Sequence, residues 1–437
     1  MKDKVENRGI CNDGKKLAIK NALLATQLRR QNQVLRCYEC KIVEKRLNNR
    51  QREELEQLFL EGKWFYNHVL NLHQNGQKLN SINTTNIKSV DHYDKDKNLI
   101  QSELKVLSGQ QKQAILTRMN QNEKTICSLV KKGHQKHGSL QFKSELSCIP
   151  LKQYGTTYKF KTFNKVKIQG IHGDILVRTG NQLQIADELA NANLIKKPDG
   201  YYLMVTCFIN KENWKTQKTN GKEIGLDFGI KTNITTSEGK KINVSVEESE
   251  RLKMLQRKLQ LQVKGSNNRY KTIKKIQREY QKIGNKKTDK TNKVVHELKQ
   301  YSTIVIQDEQ IANWHKGLFG KQVQHSCIGL IKQKLKSLPQ TIVLDKYIPT
   351  TKWCPKCGKK HSIGLDERTY VCECGYSQDR DIHSAKNMLS IKNLVFKNKI
   401  SVDSRKGIVP TEHREVTLME FKTSVKSTGS ADDKLEH

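Results

Sequence analysis

The chain has 437 residues, with 80 Lys and Arg against 44 Asp and Glu and a formal net charge of +36. That length suffices for several domains with their own cores, and an excess of this size selects a polyanionic partner, nucleic acid ahead of an acidic membrane surface. No run of about 18 apolar residues occurs, which argues against a bilayer-spanning helix, and the opening MKDKVENRGICNDGKK lacks the apolar stretch of a secretory signal.

Residues 1–35 are polar and basic and read as an extension, part helix, suited to a phosphate backbone. CYECKIVEK alternates and predicts a first strand. From Asn48 to about Lys132 the pattern is helical, with Leu55, Leu58, Phe59, Trp64, Phe65, Val69 and Leu70 near a 3.6 period and an Asn-rich connector at 74–97. Trp64, Phe65 and Tyr66 could stack on bases, but their helical spacing favours core packing. Residues 138–220 break into short alternating segments split by Gly, Asn and Asp, the pattern of a small barrel or sandwich into which the helical block is inserted.

EIGLDFGIKTNITTSEGKKINV, residues 223–244, predicts two buried strands around a tight turn. A long basic helical stretch follows over 247–300, broken at KGSNNR; then YSTIVIQDE is a strand, HSCIGLIKQKLKSL a helix and TIVLDKYI a strand. Strands alternating with helices imply an α/β sheet. From about Asn393 the chain is Lys-, Ser- and Thr-rich with little periodicity and reads as a flexible tail.

Eleven cysteines, mostly scattered, fit a reducing intracellular, cytoplasmic setting rather than a disulfide framework. Cys354-x2-Cys357 and Cys372-x-Cys374 stand apart from the others, each pair beside a Gly that permits a tight turn. Four thiolates make a closed tetrahedral zinc site with no vacancy for water, so the expected role is structural. Cys37 and Cys40 also have metal spacing, but on a strand i and i+3 point to opposite faces, and no second pair lies nearby.

Three carboxylates sit where burial is costly without a cation. Asp227 follows Ile224-Gly225-Leu226, Glu309 ends YSTIVIQDE, and Asp381 opens the helical DIHSAKNML. Converging, they would bind one or two Mg²⁺ ions, a cation suited to oxygen ligands and to phosphodiester cleavage. Alternation along a strand puts Gln307 and Glu309 on one face and favours Glu309; Asp308 is the alternative if the strand has already ended. Asp379 is expected to be a cap or ion-pair partner of the helix that Asp381 leads.

GLDFGIKTNIT, the basic span with KGSNNR, IVIQDEQIANWHKG and CPKCG…CECGYSQDRDIHSAKNM, in that order, resemble the catalytic half of the TnpB family. These are transposon-encoded RNA-guided nucleases related to compact type V CRISPR effectors. The likeness covers about residues 221–392; the preceding half matches in layout only. It implies a multidomain α+β protein: an N-terminal β-barrel (wedge) with a helical recognition insert, then an RNase H-like α/β RuvC domain carrying an inserted zinc ribbon. The expected divisions are a basic extension at 1–35, wedge at 36–47 and 133–220, and recognition insert at 48–132. The RuvC-like nuclease follows at 221–350 and 377–392, with the zinc ribbon at 351–376 and the tail at 393–437.

The resemblance further implies Asp227, Glu309 and Asp381 as the catalytic Mg²⁺-binding triad. Guide RNA and target double-stranded DNA are the implied partners, and RNA-guided DNA cleavage at a single site the implied activity. Two positions depart from the family pattern. The usual second motif reads Glu-Asp-Leu, and the aligned residue here is Gln307; His383 stands where Asn is common. The rival readings are a guided DNA-binding repressor with a decayed nuclease centre and a guide-independent nuclease or strand transferase of the same fold.

Overall fold

The computed structural model describes residues 3–93, 98–133, 137–180, 182–213, 219–361, 363–364 and 367–399. The chain divides into two compact units, Met1–Lys215 and Thr216–His437.

The first unit begins with helix α1 (Asp3–Gln31), which enters β1 (Gln33–Ile42). Helix α2 (Asn49–Gln74) starts at a capping box: the Asn48 side chain accepts from Gln51 N, and the Gln51 side chain accepts from Asn48 N. Strands β2 (Ser89–Tyr93) and β3 (Leu99–Glu103) form a hairpin with Tyr93 opposite Leu99. The expected 74–97 connector thus holds a strand; SVDHY and LIQSE are too short and polar to announce one. Helix α3 (Gly109–Lys131) repeats the capping box through Ser108 and Gln111.

The other strands of this unit are β4 (Cys148–Leu151), β5 (Tyr158–Thr162), β6 (Lys165–Ile168), β7 (Ile175–Arg178), β8 (Glu188–Lys197) and β9 (Gly200–Asn210). With β1 they form an antiparallel sheet in the order β4-β8-β9-β1-β7-β6-β5, which approaches a barrel with β4 and β5 at its ends. Its core joins Leu55, Leu58, Phe65 and Val69 of α2 and Met119 of α3 to Ile149, Leu151, Leu194 and Val205 of the sheet. Phe65 and Tyr66 are buried, while Trp64 stacks on His92 of β2 at 3.9 Å between ring centroids. A carboxylate lies inside this core. Glu61 accepts the backbone N–H groups of Lys105, Val106 and Leu107 at 3.0, 2.9 and 2.7 Å and so shapes the approach to α3.

In the second unit, β10 (Glu223–Phe228), β11 (Ile234–Thr236) and β12 (Lys241–Ile242) form an antiparallel meander. Helices α4 (Glu250–Gln260) and α5 (Asn267–Leu298) follow, separated at the KGSNNR break and capped by Ser249 and Ser266. Strand β13 (Thr303–Gln307) returns parallel to β10, with Leu226 opposite Ile306. Short helices α6 (Ile311–Trp314) and α7 (Gly320–His325) lead to α8 (Ile328–Lys336) and to β14 (Thr341–Leu344), which lies parallel to β13. The sheet order is β12-β11-β10-β13-β14.

Alternation along β10 and β13 divides the two faces of this sheet. Ile224, Leu226, Phe228, Ile304 and Ile306 pack with Val294, Val295 and Leu298 of α5 and Ile331 and Leu335 of α8. The other face receives helix α9 (Arg380–Lys399), whose Met388 packs with Val305 and Leu344. Between β14 and α9 lies a small hairpin, β15 (Thr369–Val371) with β16 (Ser377–Asp379). Helix α9 runs past the expected tail boundary at 393; the rest of that expected tail, 400–437, lies outside the described residues. Among the described residues no helix is long and apolar enough to cross a membrane.

Candidate metal centres

The CPKCG and CECG segments each turn on a glycine in left-handed backbone, Gly358 at φ 72° and Gly375 at φ 82°. The turns are closed by Gly358 N donating to Cys354 O and Gly375 N to Cys372 O, both at 2.9 Å. This brings Cys354 Sγ to 3.6 Å from Cys374 Sγ and Cys357 Sγ to 3.5 Å from Cys372 Sγ, with all four sulfurs within 4.8 Å of one another. Zinc–sulfur bonds of about 2.3 Å require tetrahedron edges of about 3.8 Å. The donor set and its spacing are compatible with a structural zinc site. Burial pushes the Cys354 thiol up to about 12, whereas the Tyr376 backbone N–H holds Cys374 down at about 7. Cys37 and Cys40, by contrast, lie on β1, the first exposed and the second buried.

The knuckle rests on α9 through one histidine. His383 is fully buried and stacks on Tyr370 of β15 at 3.9 Å between centroids. Asn387, one turn later, lies 3.1 Å from His383 Nε2 and donates to Thr350 O and Trp353 O, both at 2.8 Å. Burial pushes His383 down to about 4, so it packs as a neutral ring inside the protein.

The carboxylates lie around these same first turns of α9, on the side that faces β10. Gly225 and Asp227 of β10 face this helix, and a Cβ at Gly225 would stand 2.0 Å from Ala385 O, so only glycine admits α9 this close. Asp227 Oδ1 accepts from Ser384 Oγ at 2.9 Å. Its carboxyl is pushed up to about 7, chiefly by burial; the Ser384 bond opposes this, and the charges of Asp381 and Glu309 add to it. Asp381 sits in the first turn of α9. Asp379 caps that turn, Oδ1 accepting from Asp381 N at 3.0 Å and Ile382 N at 3.3 Å, while Oδ2 pairs with Lys241 at 2.8 Å.

Glu309 behaves differently from its strand neighbours. Strand β13 ends at Gln307, so the alternation that would set Gln307 and Glu309 on one face lapses there. The Glu309 carboxylate is ion-paired to Lys332 of α8, a lysine only 3 % exposed, and Asp308 pairs with Lys336 of the same helix. Gln307 follows Ile306, whose partner on β10 is Leu226, the residue before Asp227, so parallel alternation sets Gln307 and Asp227 on the same face of the sheet. Its amide donates to Ile348 O at 2.7 Å and Asp345 O at 3.0 Å, and its oxygen accepts from Thr350 Oγ1 at 3.3 Å. Thr350 Oγ1 lies 3.0 Å from Ser384 Oγ, so the two hydroxyls stand in line between Gln307 and Asp227; with the Ser384 proton on Asp227, the single Thr350 proton serves either Ser384 or Gln307. Among the described residues, the four cysteines form the group of potential ligands closed to within 4.8 Å; the three carboxylates form no such group.

Sequence reading singled out neither Ser384 nor Thr350. Ser384 carries a helical signal, three residues after Asp381 on the same face; Thr350 carries none.

Residues 205–316 match the OrfB_IS605 family, described as "Probable transposase", and residues 329–388 match the Cas12f1-like TNB domain. The C-terminal half is TnpB-like. The two matches run from within β9 to just past α6 and from α8 to the first turns of α9, the segments that carry both centres. A "Putative RNA-guided DNA endonuclease" of Streptomyces pristinaespiralis is 29% identical over 178 residues, 38% of this chain and 44% of that protein. The "Putative RNA-guided DNA endonuclease InsQ" of Escherichia coli (strain K12) is 25% identical over 273 residues, 55% of this chain and 66% of that protein. The chain therefore spans under half of the first relative's length and about two thirds of the second's. The solved mini-RNA-guided endonuclease CRISPR-Cas_phi3 aligns over 83% of this chain and 92% of its own with a TM-score of 0.44 and 10% identity.

Proposed function

We propose that the chain is an RNA-guided DNA endonuclease with a single RuvC-like, RNase H-fold centre at the α9 end of the β10–β13 sheet. The observation that carries this reading is Asp227, a half-buried carboxylate of β10 bonded by Ser384 of α9, the helix whose first turn carries Asp381. Carboxylates crowded in a low-dielectric site resist ionisation unless a cation joins them. When bound there, Mg²⁺ would supply an activated water and offset charge on the leaving oxygen. Asp227 of β10 and Asp381 of α9 would hold the cation, Ser384 orients the Asp227 carboxylate, and Glu309 would be able to join them only with its ion pair to Lys332 broken. The sheet of the first unit serves as the wedge, α2 and α3 as the recognition insert, and the zinc knuckle steadies α9. Guide RNA pairing reads the target strand, and the protein holds the heteroduplex by charge and shape.

Gln307 favours a second reading. An amide stands on the same sheet face as Asp227, and Glu309 is neutralised by Lys332, as in a guided DNA-binding protein whose cutting has decayed. Sequencing the RNA that copurifies with the chain, then assaying guided DNA cleavage in Mg²⁺, separates the readings. A discrete RNA with cleavage abolished by Asp227→Ala supports the endonuclease. A discrete RNA with guided binding and no cleavage supports the second reading. Cleavage that survives Asp227→Ala overturns the site.

A further inference from the structure

Several cations of the first unit are set against acids. Arg30 pairs with Glu188, Lys41 with Asp199, Arg50 with Glu54 and Lys161 with Asp174. One cluster departs from this. Arg118 of α3 directs Nη1 to Cys148 Sγ at 3.0 Å and Nη2 to Asn193 Oδ1 at 2.6 Å, both neutral acceptors. Lys152, just past β4, donates to Thr117 Oγ1 at 2.8 Å. The ammonium of Lys143 lies 4.1 Å from the centroid of the buried Tyr66 ring, and its main chain is clamped on both sides by the Asn67 amide at 2.9 Å. Among the described residues none of the three cations has a carboxylate within ion-pair distance.

Such a cluster is unfavourable on its own. Burial, and then the charge of Arg118, push both Lys143 and Lys152 below the ordinary lysine value. Yet the three side chains are held in place by helix, strand and loop contacts from α2, α3, β4 and β8. Arg118 keeps three of its five N–H donors and Lys152 two of its three for a ligand. A tetrahedral oxyanion accepts from a guanidinium and two ammonium groups at once. In a chain of net charge +36, the oxyanion within reach is the repeating phosphodiester.

We propose that Arg118, Lys143 and Lys152 form a phosphodiester-binding site for the backbone of bound nucleic acid. The proposal rests on the nucleic-acid partner argued above and adds where in the first unit a backbone phosphate is gripped.

The test is fluorescence anisotropy on the full chain with a labelled single-stranded RNA and, separately, a labelled DNA duplex, across a series of KCl concentrations. Each cation that meets a phosphate contributes about 0.7 to the slope of log K against log salt on single strands and about 0.9 on duplex DNA. Lys152→Gln should lower the slope by one such step and Lys143→Gln/Lys152→Gln by two; the probe that responds identifies the source of the phosphate. Lys159→Gln, an exposed lysine of β5, should change the slope by less than half a step. Without nucleic acid the double variant should melt at or above the wild-type temperature, because a repulsion has been removed. Unchanged slopes, or an equal loss in Lys159→Gln, overturn the site while leaving the nucleic-acid reading intact. A double variant that melts lower assigns the lysines to folding instead. Wild-type protein that binds neither probe overturns both the site and that reading.

Discussion

Replacing Gly225 by Ala tests whether the approach of α9 to β10 sets the geometry at Asp227. The added Cβ would lie 2.0 Å from Ala385 O and 3.0 Å from Ala385 C, whereas real Cβ contacts do not fall under 3.0 Å. The helix must therefore retreat by 3.0 − 2.0, or 1.0 Å, at least. Ser384 is the adjoining residue, and its 2.9 Å bond to Asp227 would open to about 3.9 Å, beyond hydrogen-bond range. Overpacking of this kind costs about 1–3 kcal/mol, and the lost bond to a half-buried carboxyl adds about 1–2 kcal/mol. In a unit of about 200 residues that corresponds to a melting temperature lower by roughly 4–20 °C. A displacement of about 1 Å at a reacting centre costs on the order of 10²-fold in rate. Thermal melting and Mn²⁺ titration of the variant, followed by guided cleavage, measure the three effects, with zinc content expected to stay at one per chain. A variant that melts within 1 °C of wild type and binds Mn²⁺ equally well would refute the reasoning.

In Mg²⁺-free buffer the Asp227 carboxyl, raised from 3.8 to about 7, favours folding in its protonated form, so stability should fall as pH rises from about 4 to about 7. Asp227→Asn should flatten that dependence and stabilise the metal-free protein at pH 8 by on the order of 4 kcal/mol; denaturant unfolding at pH 4 and pH 8 checks both signs. Cys354→Ser should reduce bound zinc from one per chain to near zero by elemental analysis, and in the wild type zinc affinity should weaken as pH falls, since a thiol held near 12 must release its proton. Gln307→Glu would set a carboxylate on the same sheet face as Asp227 and remove the amide that satisfies Ile348 O and Asp345 O. Metal-free stability should drop by about 2–4 kcal/mol while Mn²⁺ affinity rises at least tenfold; equal affinity by calorimetry would show that position 307 does not face the cation.

Local pattern carried much of the molecule. The apolar runs around Gly225 and Val305 become buried parallel strands, KGSNNR does separate two basic helices, and the cysteine spacing does close four sulfurs. Asp379 proves both cap and ion-pair partner, because a short acid ahead of a helix has few other uses. What depended on distant partners was not legible. Period-two alternation holds only inside a strand, so nothing in IVIQDE showed that Glu309 would turn to Lys332, 23 positions onward. Between Gln307 and Asp227 stand Thr350 and Ser384, which come from two other segments of the chain. His383 looked like a local substitution; its burial against Tyr370 is visible only once the knuckle folds onto α9.

Helix α9 is engaged on successive turns by different partners: Asp379 at its cap, Asp227 at Ser384, β10 at Ala385, the knuckle at His383, and Thr350 and Trp353 at Asn387. One residue added directly after Asp381 would rotate every later side chain by about 100° and break the engagements at His383, Ser384, Ala385 and Asn387 together. The chain between Cys357 and β15 is fixed at its two ends by sulfur and by strand pairing, and not by helical phase. Evolution can therefore lengthen or shorten the knuckle while α9 stays fixed in length, and divergence among relatives should collect in that loop.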